Sequence, residues 1–400
     1  MLAKRISSVK SSPSIEARAR VEALRAKGHR VIDFTIGEPD FSTPSHIIEG
    51  GIQAIKGGQT RYTSSFGTKS LREAITRKLK RENQLEFLSE EVIVGSGAKH
   101  VIFSALAATL HEGDEVIVPA PYWVSYPDMI SLHGGKPVIV LCDAENGFKL
   151  NGPKLREAIT NRTKWIILNT PNNPTGAVYT RNELEQLCDV LRENPHVWLL
   201  TDEIYEHFIY GNAQHLSPLH VAPELKSRTL IVNGLSKAYA FTGWRIGYGA
   251  GPTELIKIIN LLVTQSTTCA ASISQAAAVV ALDGQQDCVK SAAHMFEARC
   301  DLMFELLRKI PGISCHKPDG SFYLFPNVAG LFGRKTPDGL VLQNDLDIVN
   351  YFIDCAGVAT MDGSSYGASS YLRMSFAASM EEIKEGCLAL AHAVERCTRS

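Results

Sequence analysis

The chain has 400 residues, of which 44% are hydrophobic and 21% charged, and its formal net charge is −1 at pH 7. This composition is typical of a globular chain with room for two hydrophobic cores, and the near-zero charge gives no field that would gather nucleic acid or an anionic membrane. Nine cysteines without C-x-x-C spacing indicate neither a zinc site nor a disulfide framework. Because no apolar run reaches signal-peptide or membrane-span length, we expect a cytoplasmic protein that acts on small molecules.

The N-terminal part is expected to be helical apart from an arm and two loops. Residues 1–15 are polar and serine-rich, which predicts an arm. The segment VIDFTIGEPDF at 31–41 predicts a short strand that breaks at Gly37, where a ligand could approach the backbone closely. A later loop contains Tyr62, a tyrosine with no evident burial partner. Apolar residues at helical spacing predict helices over 15–27, 46–56 and 70–82.

The middle of the chain alternates short apolar strands with helices. A short continuous apolar run is typical of a strand that is buried on both faces. The pattern therefore predicts a mostly parallel sheet sandwiched by helices. Ligands of such sheets bind at the carboxyl ends of the strands. The residues expected at these ends are the turn Gly95 to Gly97, Trp123, Asn173, Asp202 and Lys237.

The C-terminal part begins with helices predicted over 252–265 and 274–303, the second of which is expected to cross between domains. The remaining residues alternate strands and helices, which predicts a smaller α+β domain, and its strand at 371–377 contains Arg373. A Gly/Pro-containing loop at 326–343 is expected to be an insertion. We place an arm at 1–15, a small domain at 16–47 and 296–400, and a large domain at 48–295.

The stretch VNGLSKAYAFTGWRIGY at 232–248 follows an apolar strand-like run and presents Lys237. A lysine without context is most often a solvated amine, but at a strand end it can be a Schiff-base nucleophile. Pyridoxal phosphate requires such a lysine, an acid at its ring nitrogen, and donors for its phosphate and phenolate oxygens. Asp202 could be that acid or a helix N-cap. Tyr205, which could otherwise be a core aromatic, and Asn173 could donate to the phenolate oxygen.

A phosphate would suit the glycine turn at 95–97, because a helix begins there and exposes N–H groups at the positive end of its dipole. The spacing matches neither a Walker loop nor a dinucleotide fingerprint. Arg245 could bind phosphate through its planar guanidinium or lie on the surface. Trp123 could stack on the ring or belong to the core. Arg373, if buried, needs an anion, which could be a substrate carboxylate or a structural ion-pair partner.

The order and spacing of these motifs resemble the class I pyridoxal-phosphate aminotransferases of fold type I, over nearly the whole chain. The resemblance is strongest to the bacterial branch that contains aspartate and prephenate aminotransferases. It implies a large α/β domain with a seven-stranded sheet and a smaller α+β domain. The matching segments are GEPDF at 37–41, GSGAK at 95–99, PAPYWVSYP at 119–127, NNPTGAVY at 172–179, TDEIYEH at 201–207, NGLSKAYAFTGWRIGY at 233–248 and YLRMSFA at 371–377.

The resemblance also implies a role for each matching residue. At the cofactor these are Lys237 as Schiff-base lysine and proton shuttle, Asp202 at the pyridine nitrogen, Tyr205 and Asn173 at the phenolate oxygen, Trp123 on the ring, and Gly97, Ala98, Lys99, Ser236 and Arg245 at the phosphate. At the substrate α-carboxylate they are Arg373, Asn173 and the Gly37 backbone, and Trp123 is a further substrate-binding residue. Tyr62 is expected to reach the cofactor of a neighbouring subunit, which implies a homodimer with shared active sites.

The implied reaction is ping-pong transfer of an amino group from an L-amino acid to a 2-oxo acid, with aspartate and 2-oxoglutarate as the first choice. Lys99, Ser12 and Ser14 resemble the binders of the distal carboxylate, although the sequence departs from relatives at 12–14 and in GSGAK. Transamination of aromatic amino acids or prephenate is the alternative, followed by a pyridoxal-phosphate β-lyase or decarboxylase. A sensor with this fold would need a DNA-binding domain, and neither nucleic acid nor membrane is an expected partner.

Overall fold

The structure is a computed structural model that describes residue 6 and residues 13–399, with only the backbone described for Ser14 and Arg399. The helices of this part of the chain are α1 Pro13–Ala26, α2 Ser45–Lys56, α3 Lys69–Asn83, α4 Ala98–Thr109, α5 Ser125–Leu132, α6 Gly152–Ala158, α7 Arg181–Glu193, α8 Thr253–Ser266, α9 Ser272–Asp283, α10 Asp287–Leu307, α11 Asp345–Tyr351 and α12 Met380–Glu395. Its strands are β1 Ile32–Asp33, β2 Val92–Gly95, β3 Glu115–Ala120, β4 Lys136–Leu141, β5 Thr163–Asn169, β6 Trp198–Asp202, β7 Thr229–Gly234, β8 Gly247–Ala250, β9 Tyr323–Leu324, β10 Arg334–Lys335, β11 Val358–Ala359, β12 Met361–Asp362, β13 Leu372–Ser375 and β14 Thr398–Arg399.

Seven of these strands form one sheet in the order β2-β8-β7-β6-β5-β3-β4. The neighbours from β7 to β4 are all parallel, whereas β8 runs antiparallel to both β2 and β7. The carboxyl ends of β3, β5, β6 and β7 consequently meet at one edge. That edge is where ligands bind in open parallel sheets.

Alternate residues of these strands enter two separate hydrophobic layers. In β2, Val92 and Val94 pack with α3, α7 and α9 on one face, whereas Ile93 packs with α4, α5 and α8 on the other. Trp165 and Ile166 of β5 divide between the layers in the same way. Since side chains alternate with period two along a strand, the apolar runs of the sequence bury both faces of the sheet.

A second hydrophobic core lies in the C-terminal part of the chain. It contains residues of α10, α12, β9 and β13, among them Phe296, Tyr323 and Met374. Tyr205 belongs to this core although it follows a strand of the large sheet. The carboxyl edge of the sheet therefore adjoins a second core, and the fold is α/β with a smaller α+β part. The domain boundaries stay predictions.

The single helix predicted over 274–303 is wrong, because the chain breaks into α9 and α10. Gly284 ends α9 with an extended backbone conformation, and glycine is a poor helix former. The Gln286 side chain then donates to the carbonyl oxygens of Ala281, at 3.0 Å, and Gly284, at 2.8 Å. These two bonds satisfy backbone acceptors that a continuous helix would have paired.

Three further predictions differ from the structure. Helix α1 begins at Pro13, inside the segment expected to be an arm, because proline is well suited to a first helical turn. The expected strand at 31–41 shortens to β1, which pairs with β11. The loop at 326–343 contains a 3₁₀ turn and β10, which pairs with β14. None of the helices in the described residues combines the length and apolar character that crossing a bilayer requires.

Candidate active site

A cavity of about 340 Å³ opens at the carboxyl edge of the large sheet. Eleven of the residues predicted from the sequence line it together: Gly37, Ala98, Lys99, Trp123, Asn173, Asp202, Tyr205, Ser236, Lys237, Arg245 and Arg373. Tyr62 does not line it and is 87% exposed. Ser12 and the side chain of Ser14 lie outside the described residues. The structure thus brings residues from distant parts of the sequence into one site of a size that suits a small ligand.

Lys237 follows the end of β7 and projects into this cavity. Its Nζ donates a hydrogen bond to the carbonyl oxygen of Gly37 at 2.6 Å. Burial lowers the pKa of Lys237 to about 8; Glu38 opposes this shift, whereas the positive charge of Arg373 adds to it. A sizeable fraction of this amine is neutral near pH 8, which a nucleophile or a general base requires.

Asp202 is the last residue of β6 and is buried. Its Oδ2 accepts a hydrogen bond from the Tyr126 hydroxyl at 2.7 Å, and its Oδ1 accepts one from the Ile204 backbone at 3.3 Å. Burial raises the pKa of Asp202 to about 6, although the hydrogen bond from Tyr126 opposes that shift. A cation placed against this buried carboxylate would therefore stabilise its charged form.

Arg373 enters the same cavity from β13 and is only 3% exposed. Its Nη1 donates to Asn173 Oδ1 at 3.3 Å, and its Nη2 donates to the Thr35 carbonyl oxygen at 2.7 Å. The guanidinium lies 4.5 Å from the centre of the Tyr323 ring. Its Nε is buried and has no hydrogen-bond partner among the residues that the structure describes. The cost of leaving such a donor unpaired indicates an anion site.

Tyr205 is linked to the arginine through a second tyrosine. Its hydroxyl lies 3.0 Å from that of Tyr323, the tyrosine that packs against Arg373. Burial, together with the neighbouring Tyr323, keeps the pKa of Tyr205 well above its ordinary value. Tyr205 therefore stays protonated at neutral pH and can donate a hydrogen bond into the cavity.

An anion-binding corner forms where α4 begins. Gly97 caps this helix with φ of 91°, and a Cβ there would lie 2.3 Å from Arg245 Nη2, so only glycine lets the guanidinium approach the turn. The Arg245 Nη2 group donates to the Ser96 carbonyl oxygen at 3.1 Å. Arg245 also has φ of 60°, a left-handed conformation that is strained for a non-glycine residue. Free helix N–H groups next to a guanidinium suit a phosphate.

Lys99 lies at the open side of the cavity and is exposed. Its Nζ lies 4.6 Å from the centre of the Trp123 ring and donates to Ser125 Oγ at 3.1 Å. Burial of part of the side chain, followed by repulsion from Arg245, lowers the pKa of Lys99. Neither of these two contacts of the Lys99 ammonium is with a carboxylate.

The side chains around the cavity fit pyridoxal phosphate. Lys237 offers an amine with a lowered pKa, Asp202 offers a buried carboxyl group, and the corner at Gly97 offers an anion site. Arg373 Nε, a buried donor without a partner, adds a place for a carboxylate. These are the groups that the cofactor and an amino-acid substrate require.

Sequence reasoning missed three polar residues of the site. Tyr126 bonds Asp202, and Tyr323 contacts both Tyr205 and Arg373. Asn169 accepts from the Asn173 backbone N–H at 2.8 Å and donates to the Asp202 carbonyl oxygen at 2.9 Å. Tyr126 and Asn169 could have been suspected from their positions near strand ends, whereas Tyr323 gives no local signal of its own.

Comparison with known proteins agrees with this geometry. Residues 29–390 match the family model "Aminotransferase class I and II". A probable aspartate/prephenate aminotransferase of Rhizobium leguminosarum bv. phaseoli is 48% identical over 386 residues, 96% of each chain. An aspartate aminotransferase of Rhizobium meliloti (strain 1021) is 46% identical over 394 residues, 98% of this chain and 96% of the relative.

Two solved structures extend the comparison. The crystal structure of the aspartate aminotransferase from Rhizobium meliloti superposes with a TM-score of 0.97 at 45% identity and covers 100% of both chains. Aspartate aminotransferase from Thermus thermophilus with maleate gives 0.92 at 38% identity, over 98% of this chain and 99% of that one. The expected family, fold and cofactor are confirmed. The chain belongs to the class I and II aminotransferases, enzymes that act on amino acids and 2-oxo acids with pyridoxal phosphate.

Proposed function

We propose that this aminotransferase transfers the amino group of aspartate to 2-oxoglutarate. The observation that supports a dicarboxylic substrate is that Lys99 and Arg373, two cations on different elements, line the cavity that also contains Lys237. Relatives named aspartate aminotransferase, and the Thermus structure with maleate, a four-carbon dicarboxylate, support the same choice.

In this proposal the cofactor would be held at three places. Lys237 would bind it covalently, the carboxylate of Asp202 would meet the protonated ring nitrogen, and Arg245 with the N–H groups at Gly97 to Lys99 and Ser236 would hold the phosphate. Tyr205 and Asn173 would donate to the phenolate oxygen, and Trp123 would cover the ring. When bound, pyridoxal phosphate accepts the electron pair released as the Cα–H bond of an amino acid breaks.

The protein's own groups would move the proton. The Lys237 amine would take the proton from the Cα atom of the substrate. Its pKa of about 8 keeps a fraction of the amine neutral near physiological pH, so that it could both accept this proton and release it again. Asp202 supports this step by holding negative charge against the ring nitrogen, where burial makes the interaction strong.

Arg373 would bind the α-carboxylate of the substrate. It is held by Asn173 and by the Thr35 carbonyl oxygen, so the guanidinium is oriented before the substrate arrives. Two parallel N–H bonds to a carboxylate fix both the distance and the plane of the substrate. The backbone of Gly37 would contact the same carboxylate. Gly37 lines the same cavity, and its carbonyl oxygen accepts a hydrogen bond from Lys237 Nζ.

Lys99 would bind the distal carboxylate, with help from Ser12 and Ser14 of the N-terminal segment. A dicarboxylic donor satisfies this exposed cation, whereas an apolar side chain leaves it unpaired. Prephenate transamination is the second candidate, because relatives are named probable aspartate/prephenate aminotransferases. Prephenate also has two carboxylates, so the same two cations suit it.

A panel of donors against 2-oxoglutarate, with prephenate tested as an acceptor, distinguishes these choices. We expect aspartate to give the largest kcat/KM among the donors. Absence of aspartate turnover, with other donors active, would contradict the substrate proposal and leave the aminotransferase in place. Release of ammonia without an acceptor would instead indicate a β-lyase.

We also propose that the enzyme is a homodimer in which Tyr62 reaches the partner's cofactor. Tyr62 is 87% exposed and does not line the cavity of its own chain, and α2, which precedes it in the sequence, exposes Ile48, Ile52 and Ile55. Large exposed apolar side chains on one helix are typical of an interface. Analytical ultracentrifugation should give twice the chain mass. A cytoplasmic location stays a prediction, supported by nine free cysteines.

A further inference from the structure

The turn after β6 places its polar side chains on two sides. Asp202 and Tyr205 line the cavity, whereas Glu203 and Glu206 do not and are buried behind it, at 1% and 8% exposure. A buried carboxylate is costly unless it is paired and hydrogen-bonded. Neither glutamate has a part in the chemistry described above, so their partners indicate what they do.

Glu206 is held from three directions. Its Oε1 accepts from Lys78 Nζ and, at 2.7 Å, from Asn233 Nδ2, and its Oε2 accepts from Asn83 Nδ2. Burial alone would raise the pKa of Glu206, but the Lys78 ammonium, which is itself buried, holds that pKa well below its usual range. Glu206 is therefore a fixed carboxylate rather than a proton carrier.

The same cluster does not favour a metal ion. Glu203, Glu206 and His215 have ligand atoms within 4.8 Å of one another. However, the Lys78 ammonium already balances the charge of Glu206, and a divalent ion beside it would be repelled. The carboxylate of Glu203 already has two partners: it accepts a hydrogen bond from the Thr201 hydroxyl at 3.0 Å, and it lies 3.2 Å from His215 Nε2. The cluster is organised around an internal ion pair.

The hydrogen bonds around Glu206 connect the turn after β6 to β7, just beyond the last paired residues of these two strands. The β6–β7 ladder ends at Asp202 and Val232, and the Glu203 N–H donates to the Val232 carbonyl oxygen at 2.9 Å. Beyond this bond, the side chains of Glu206 and Asn233 continue the connection. Asn233 also accepts from the Gly234 N–H at 2.7 Å, which fixes the amide.

We propose that Glu206 and Asn233 are positioning residues for transamination, because their hydrogen bond fixes the turn that contains Asp202 and Tyr205 against the strand end that leads to Lys237. Glu206 is the neighbour of Tyr205, and Asn233 precedes Lys237 by four residues. Groups that act together in a site must be held within about 0.5 Å of their working geometry. This inference rests on the roles proposed above for Tyr205 and Lys237.

Asn233→Ala and Asn83→Ala make a matched pair for the test. Both residues are buried amides that donate to Glu206. Asn233 belongs to β7, which leads to Lys237, whereas Asn83 belongs to α3 and accepts a further bond from Lys78 Nζ at 2.7 Å. We expect Asn233→Ala to lower kcat roughly tenfold, with the KM for the amino donor nearly unchanged. Asn83→Ala should lose comparable thermal stability and keep the kcat of the unaltered enzyme.

The visible absorbance of the cofactor bound to Lys237 gives a second readout, independent of turnover. A hydrogen bond from Tyr205 to the phenolate oxygen favours the deprotonated cofactor–lysine linkage. If Asn233→Ala loosens Tyr205, the pH midpoint of this absorbance rises by roughly half a unit or more. Asn83→Ala should leave the midpoint where it is.

Two double variants keep the test decisive if Asn233→Ala does not fold. Lys78→Met with Glu206→Gln removes both buried charges but keeps an acceptor for Asn233, so the midpoint should stay. Lys78→Met with Glu206→Leu removes the acceptor, so the midpoint should rise. Equal midpoints and equal kcat within each pair would overturn the inference. Absence of transamination by the unaltered enzyme would instead contradict the proposed function.

Discussion

The two ends of the cavity are built in opposite ways. At the inner end, Asp202 and Arg373 are 4% and 3% exposed, and each is hydrogen-bonded to two residues from other parts of the chain. At the outer end, Lys99 is exposed and bonds one serine. The sheet edge and the second core fix the inner end, whereas little fixes the outer end. This difference indicates that the reaction is set by the inner end and that the choice of substrate is set by the outer end.

Lys237→Ala should cause the largest loss. Removing the amine removes the covalent attachment of the cofactor and the base that moves the Cα proton, so turnover should fall by roughly 10⁴-fold or more. The visible absorbance of the attached cofactor should disappear as well. Loss should be equal for every amino donor, since the inner end serves all of them. Retention of turnover and absorbance would show that another residue does this chemistry.

Asp202→Asn should nearly abolish turnover but stabilise the cofactor-free protein. The folded pKa of Asp202 is about 6 against an ordinary value of 3.8, so folding disfavours the carboxylate. That penalty is absent below about pH 4, grows as pH rises to 6, and reaches about 3 kcal/mol at pH 7. Urea unfolding of the cofactor-free protein at pH 4 and pH 7 measures it. A stability gain that does not change with pH would contradict the proposed burial of charge.

Arg373→Lys should weaken all donors alike. An ammonium cannot reproduce the paired N–H groups of a guanidinium, so kcat/KM should fall about 100-fold, equivalent to ~2.7 kcal/mol. Arg228→Lys is the control, because Arg228 donates to three backbone carbonyl oxygens away from the cavity. If Arg373→Lys affected dicarboxylic donors only, the α-carboxylate would have to bind elsewhere.

Lys99→Met should have the smallest effect and the most selective one. Loss of one charged hydrogen bond should raise the KM for aspartate roughly 10- to 30-fold, about 1.5–2 kcal/mol, and leave alanine unchanged. Lys226→Met is a matched control, since Lys226 also lies over an aromatic ring, that of Phe87, at 4.4 Å. Equal losses for aspartate and alanine would place Lys99 at the cofactor rather than at the distal carboxylate.

Part of the inner end of the cavity could be predicted because its residues stand at or just beyond the ends of apolar strands. Asp202 ends β6 and Asn173 lies four residues beyond β5, and parallel strands bring their carboxyl ends together whatever the rest of the chain does. Gly97 could also be recognised from the local sequence, because a glycine turn between an apolar strand and a helix is visible without knowledge of the rest of the fold. Local pattern and sheet topology were sufficient here.

The remaining features depend on contacts that no local pattern contains. Strand β8, with the sequence GYGA, was not predicted, because glycines hide its apolar character and its pairing with β2 and β7 is antiparallel. Tyr323 meets Tyr205 and Arg373 only after the second core has folded onto the sheet. The bond of Glu206 to Asn233 likewise joins residues that are 27 positions apart in the sequence.

The most direct test of the central claim is to identify the lysine that binds the cofactor. Borohydride reduction of the enzyme loaded with pyridoxal phosphate makes the attachment permanent, and peptide mass spectrometry then locates it. We predict that the added mass lies on the peptide containing Lys237 and that prior addition of aspartate prevents the labelling. Attachment to Lys99 or another lysine, or labelling that aspartate does not change, would contradict the account.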